Sequence, residues 1–344
     1  MSTTGFFAVG RNSFTAACKL GMNPACAFLV MACGTGKDNV STRWSAEAVG
    51  SHVGMRWSAA KEAIEALCSH GIATKGGKPA RPSYKLQKDG DLIWLPRTLV
   101  EGAANEVAPV AKMRQTQDPM ALRLLVELYT AQNLREDGGI NAKTVYQAFD
   151  RRKAGQQGAY TVWDFTSSGS QWVFMNSDAA KAHRREALTA EEKMAGKKPE
   201  DVRAVDFFRR LKTLEALGLI EWVPYLYDGP NGEPMHALAC NGLQAEKALY
   251  EAATDAAARM IGESWAQSIE GIAVPVQTHI AEATMIGIAR LRYRPHTTLT
   301  SAWWAEHHSV CSAFTEQYNA LAAPKAQAGA PSSKGTGTFD FDLF

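Results

Sequence analysis

The chain has 344 residues, of which 46% are apolar and 21% charged, and a formal net charge of +2. That is a globular composition long enough for two or three domains, and it excludes a strongly basic or acidic protein, so a nucleic-acid surface would have to be local. No stretch approaches the roughly 18 apolar residues of a membrane span, no secretory signal precedes the first elements, and the six cysteines form no CxxC pair. A cytoplasmic protein with scattered core thiols and no membrane partner is therefore expected.

In chain order, residues 1–22 read as a docked arm carrying Phe6, Phe7, Val9, Phe14 and Leu20. Pro24 sits at a helix start, where its missing N–H costs nothing, and residues 25–33 follow as that helix. Gly34-Thr35-Gly36-Lys37 has the look of a phosphate loop. However, Met31 stands where the first glycine is needed and Asp38 where a hydroxyl is needed, so no nucleotide site is expected there.

Residues 44–86 organise the chain. Ser45 is placed to cap a short helix over 46–52, and Gly54 marks a tight turn. Ser58 is placed to cap a second helix over 59–69, whose Ala60, Ala63, Ile64, Leu67 and Cys68 repeat at three- and four-residue spacing. Gly71 stops it, and strands over 72–75 and 83–86 form a hairpin around a Gly-, Pro- and Lys-containing loop. From Arg43 to Leu86 there are seven Lys or Arg against three Glu, a local excess of four positive charges.

The segment from Val53 to Leu67, followed by Gly71-Ile72, resembles the winged helix-turn-helix proteins of bacteria and mobile elements. The resemblance covers about residues 24–86. It departs at Trp57, which is bulky where the pattern usually carries a small or basic residue; packing of Trp57 against the first helix is the favoured role. The same pattern occurs in plasmid and phage replication initiators and in transcriptional regulators. The resemblance implies duplex DNA as partner, with Arg56, Trp57, Ser58 and Lys61 at the start of the recognition helix and Lys75, Lys78 and Arg81 on the wing.

Beyond the hairpin, residues 92–95 read as a strand, 99–105 as a helix and 109–117 as a polar linker. Asp118-Pro119 opens a helix with one apolar face (Leu122, Leu125, Val126, Tyr129). A helix over 142–149 runs into Arg151-Arg152-Lys153, and an amphipathic helix over 202–217 precedes strands at 219–227 and 235–240. This repeated helix–Gly–hairpin order predicts a second winged-helix-like domain over 118–243, with an insertion at 154–200 and further DNA contacts at Lys143, Arg151, Arg152 and Lys153. Within the insertion, residues 160–165 and 171–174 suggest a hairpin.

Residues 244–321 read as a helical region suited to oligomerisation, such as a homodimer, with helices over 243–267, 280–291 and 301–321. Residues 322–344 read as a disordered linker with a terminal peptide. In that peptide, Phe341, Leu343 and Phe344 are similar to the apolar ends by which bacterial replication proteins hook onto the sliding clamp.

No catalytic, metal-ligand or cofactor motif is found; His307 and His308 are adjacent and diverge on a helix. A nuclease built from acids converging in space is left open. The expected fold is thus α+β, mostly helical, with tandem winged-helix-like domains over 1–110 and 118–243. The expected function is non-enzymatic and cofactor-free: a DNA-binding replication initiator of plasmid or phage type, the alternative being a transcriptional regulator.

Overall fold

The computed structural model describes residues 5–78, 81–135, 138–142, 144–173, 194–196, 204–262, 266–294 and 297–323. The N-terminal elements are β1 (Phe6–Gly10), α1 (Arg11–Lys19), α2 (Met22–Cys33), β2 (Ser41–Thr42), α3 (Ala46–Val53), α4 (Trp57–Ser69), β3 (Ala73–Lys78), β4 (Arg81–Leu86) and β5 (Leu92–Pro96). Three helices follow: α5 (Thr98–Glu101), α6 (Pro109–Thr116) and α7 (Pro119–Leu128).

Residues 1–22 hold more than an arm. From Phe6 to Gly10, β1 pairs antiparallel with β5, and α1 packs on α2 through Phe14, whose ring lies 6.1 Å from that of Phe28. Buried on nearly every side, α2 is the central helix of this half. The segment read as a polar linker is α6. Pro109 opens it, and Val110 and Met113, one helical turn apart, are both buried. Asp118 caps α7 as expected, accepting from the Met120 and Ala121 N–H groups, but α7 is buried along almost its whole length.

The second half overturns the mostly helical, tandem winged-helix reading. Helix accounts for 43% and strand for 27%, and the largest element is a curled, half-barrel antiparallel sheet of six strands. Its strands are β6 (Val145–Gln157), β7 (Tyr160–Val173), β8 (Ile220–Tyr227), β9 (Pro234–Ala237), β10 (Ile272–Gln277) and β11 (Thr284–Leu291). Their order across the sheet is β10-β7-β6-β11-β8-β9. Helices α8 (Ala204–Ala216), α9 (Gln244–Ile261) and α10 (Thr298–Ala322) complete the described elements.

Two expected helices are strands here. Residues 142–149 enter β6, and residues 280–291 contain β11, whose Ile286 and Ile288 suit a pleated surface. The expected insertion is part of the same sheet: β7 runs unbroken from Tyr160 to Val173, paired with β6 on one side and β10 on the other. A two-residue connection, Gly158-Ala159, joins β6 to β7, with Gly158 at φ +56°. Register shifts between Gln147 and Phe149 and between Lys153 and Gly155 bend β6, which accounts for the curl. The remainder of the expected insertion, apart from residues 194–196, and the terminal peptide with Phe341, Leu343 and Phe344 lie outside the described residues.

One core runs through both halves, from Phe7 and α2 through α6 and α7 to Leu211, Leu219, Ala289 and Tyr293. A second core lies between the concave sheet and α9 and α10, with Phe165, Leu226, Leu249, Val274 and Met285 at its centre.

Candidate nucleic-acid interface

The turn between α3 and α4 sets the geometry. Gly54 adopts φ +64°, a left-handed conformation that spares glycine the strain other residues would carry, and Met55 beyond it is buried. Ser45 occupies the N-cap of α3 but makes no side-chain capping bond. Residue 56, in extended conformation, is the N-cap of α4, so Ser58 lies inside the first turn instead of capping it.

The inner side of α4 is apolar, with Ala60, Ala63, Ile64 and Leu67 buried. Arg56, Trp57, Ser58 and Lys61 are all exposed at its N-terminal end. Trp57 retains 65% of its surface, so most of the indole lies in solvent. The Lys61 ammonium lies 5.6 Å from the centre of its ring. Lys61 also pairs with Glu65 one turn on at 3.7 Å; as both are exposed, this pair contributes only about 0.3–0.5 kcal/mol.

Beside α4 stands a three-stranded sheet in the order β2-β4-β3, whose β3–β4 hairpin holds the residues expected on a wing. Tyr84 and Leu86 anchor β4 in the core, while Lys75 and Lys78 of β3 are exposed. Arg81 is paired in register with Lys78. A groove of about 340 Å³ separates helix from hairpin, lined by Ser45, Trp57, Lys61, Lys75, Pro82 and Tyr84, among others. Seven of the expected contact residues, Arg56 to Lys61 on α4 and Lys75, Lys78 and Arg81 on the wing, thus belong to two adjoining elements.

Three arginines and a tryptophan absent from the expected site hold this unit together. Arg114 of α6 donates from Nε to the Val53 carbonyl at 2.9 Å and from Nη2 to the Gly54 carbonyl at 3.0 Å. Arg97 donates to the Cys33 carbonyl at the end of α2, and its guanidinium pairs with Glu101 at 2.7 Å. Trp44 stacks on His52 of α3 with ring centres 4.7 Å apart. Gly34 makes room for that indole, since a Cβ there would stand 2.3 Å from it. Burial of the His52 imidazole pushes its pKa down, against the opposing pull of Glu101. Arg11 of α1 reaches the buried Glu127 of α7 at 3.3 Å.

The basic run at 151–153 is placed differently. Arg151 donates to the Ala281 and Ala283 carbonyls at 2.9 and 2.8 Å, and its guanidinium lies 4.5 Å from the Trp163 ring centre. Arg152 pairs with Asp164, which is fully buried, at 2.7 Å and also donates to the Ser268 carbonyl. Lys153 donates to Gln156 at 2.8 Å. The two arginines therefore tie β6 to β7 and to the segments flanking β10. Lys143 lies outside the described residues.

Compared with protein-family models, curated proteins and solved structures, the chain gives no match. Its chemistry has to be read from its own geometry.

The strongest rival site is a buried cluster in the second half. Glu246 of α9 accepts two bonds from the Arg290 guanidinium and one from His307 Nε2 at 2.7 Å. Arg290 reaches Glu221 as well, at 2.6 Å. Burial opposes the charge of Glu246, but these bonds more than offset it and hold its pKa down to about 2. Burial likewise lowers Arg294, with the nearby Arg290 charge adding to the effect, to about 9.

Cys311 lies 3.7 Å from the same His307 nitrogen that serves Glu246, so thiol, imidazole and carboxylate do not form a relay through both ring nitrogens. Burial pushes that thiol up to about 12, where it holds its proton. The cluster is a cross-link between β8, β11, α9 and α10. Among the described residues, no group of three His, Cys, Asp or Glu is placed to hold a metal ion, and no helix is long and apolar enough to cross a membrane.

Proposed function

We propose that the chain is a sequence-specific duplex-DNA-binding protein that docks through α4 and the β3–β4 wing. The observation that carries this reading is the exposure of Arg56, Trp57, Ser58 and Lys61 at the N-terminal end of α4, beside Lys75 and Lys78 on the hairpin. Side chains at that end of a recognition helix reach base edges in the major groove, and wing cations reach phosphates or the minor groove. The local order α2-β2-α3-α4-β3-β4 is that of a winged helix-turn-helix, which supports the family resemblance drawn from residues 24–86.

Two uses of such a contact follow. Binding origin sites and recruiting host replication machinery is supported by the terminal peptide's similarity to clamp-binding ends. Binding an operator as a transcriptional regulator is favoured by a specific observation: the described residues of the second half form a curled sheet and not a second winged unit.

The test is binding of the full chain to a random duplex library at low salt, followed by footprinting across the DNA flanking its gene. Repeated sites beside an AT-rich segment are the expected result for origin binding. One palindrome over a promoter is the expected result for regulation. No retained duplex at low salt would remove the DNA reading altogether.

A further inference from the structure

We infer that Trp57 reads the C5 methyl group of thymine and so sets a thymine preference within the bound site. This rests on the docking proposed for α4 and the wing. Among the described residues Trp57 is the most exposed aromatic side chain, at 65%. The other exposed aromatics, Phe6 and Trp94, cover one another edge to face at 5.2 Å on the β1–β5 ribbon.

Among the described residues, Trp57 has no such ring partner. It opens α4, flanked by Arg56 and Ser58, and the Lys61 ammonium lies over the ring from one turn further on. Leaving so much indole in water forgoes the burial an aromatic ring normally gains in a folded chain.

The major groove offers an apolar ring one apolar partner. Guanine, cytosine and adenine present hydrogen-bonding groups there, and thymine alone adds a methyl. Arg56 and Lys61 supply the donors suited to guanine edges or phosphates, so the ring between them is left to read the methyl by contact. The groove of about 340 Å³ on its wing side leaves open space next to the ring.

The experiment uses the full chain and three proteins: wild type, Trp57→Ala and Trp57→Phe. A duplex is first selected from a random library with the wild type, then remade with each thymine replaced in turn by deoxyuridine, which removes only the methyl. At one or two positions the wild type should lose about fourfold in affinity, the equivalent of one apolar carbon no longer buried. Trp57→Ala should bind the parent duplex more weakly, with an unchanged salt slope, and be indifferent to deoxyuridine. Trp57→Phe should keep part of the sensitivity.

As the side chain is exposed, both variants should unfold at the wild-type temperature, which separates loss of contact from loss of fold. A wild type indifferent to deoxyuridine, or Trp57→Ala as sensitive as wild type, overturns the inference while leaving DNA binding intact. Failure to select any duplex overturns the docking proposal, and this inference with it.

Discussion

Arg114 and Gly54 are 60 residues apart in sequence, yet the Arg114 guanidinium donates to the Gly54 carbonyl at 3.0 Å and to that of Val53 at 2.9 Å. These carbonyls end α3 and have no helical partner of their own, so a cation there satisfies them and suits the negative end of the helix dipole. The angle at which α4 leaves α3 is thereby fixed from α6. Replacing Arg114 by Ala should lower stability by about 1.5–3 kcal/mol, the range for hydrogen bonds to a charged group. Duplex affinity should fall more than fivefold with the salt slope unchanged. Thermal unfolding and amide exchange at residues 54–56 measure this; unaltered exchange there would mean that the turn holds without the arginine.

The wing should act through charge. Changing Lys78 and Arg81 together to Ala removes two cations from the paired ends of β3 and β4. Binding to every sequence should weaken, and the slope of log affinity against log salt should fall by up to about two. An unchanged slope would take the hairpin out of the interface.

The run at 151–153 is exposed, yet both its arginines are engaged by partners within the chain. Arg152→Ala would strip the cation from the buried Asp164 carboxylate. A loss of stability of about 1–3 kcal/mol is expected, with duplex affinity unchanged within twofold. A large fall in affinity, at a temperature where the variant is fully folded, would mean that Arg152 contacts DNA directly.

Acid sensitivity should trace to Glu246. Its folded-state pKa, about 2, lies below the usual 4.5, so its stabilisation is fully present above about pH 4.5 and is lost as pH falls towards 2. Glu246→Gln leaves the buried Arg290 with Glu221 as its remaining anion, and should cost up to about 3 kcal/mol at neutral pH, short of the loss expected for a wholly unpaired buried charge. Between pH 4.5 and 2 the variant's stability should fall less steeply than the wild type's. Parallel curves in denaturant titrations over that range would show that another carboxylate governs acid unfolding.

What could be read from the sequence was local. Gly54, the period of Ala60 to Leu67, and Gly71 specify two helices and a stop within a few residues, and they lie at Ala46–Val53 and Trp57–Ser69. The sheet was hidden because its pairings are remote: β11 is hydrogen-bonded to β6, whose paired residues lie about 140 positions earlier. An apolar run such as 284–291, with Arg290 inside it, fits a buried helix segment as well as a strand until its neighbours are known. Trp57 illustrates the opposite difficulty. Its size suggested burial, and nothing within the sequence says that α4 leaves it in water.

The position of β11 has a consequence for how the chain is made. The β6–β7 and β8–β9 hairpins precede it, and β11 lies between them in the finished sheet. During synthesis from the N-terminus, both hairpins therefore emerge with an unpaired inner edge and wait for residues 284–291 to close the gap. Ala289, Leu291 and Tyr293 also enter the core shared with α2 and α7, so the same late segment seals the N-terminal half. A ribosome stalled before this point would hold a chain with two open strand edges, which favour pairing with other chains.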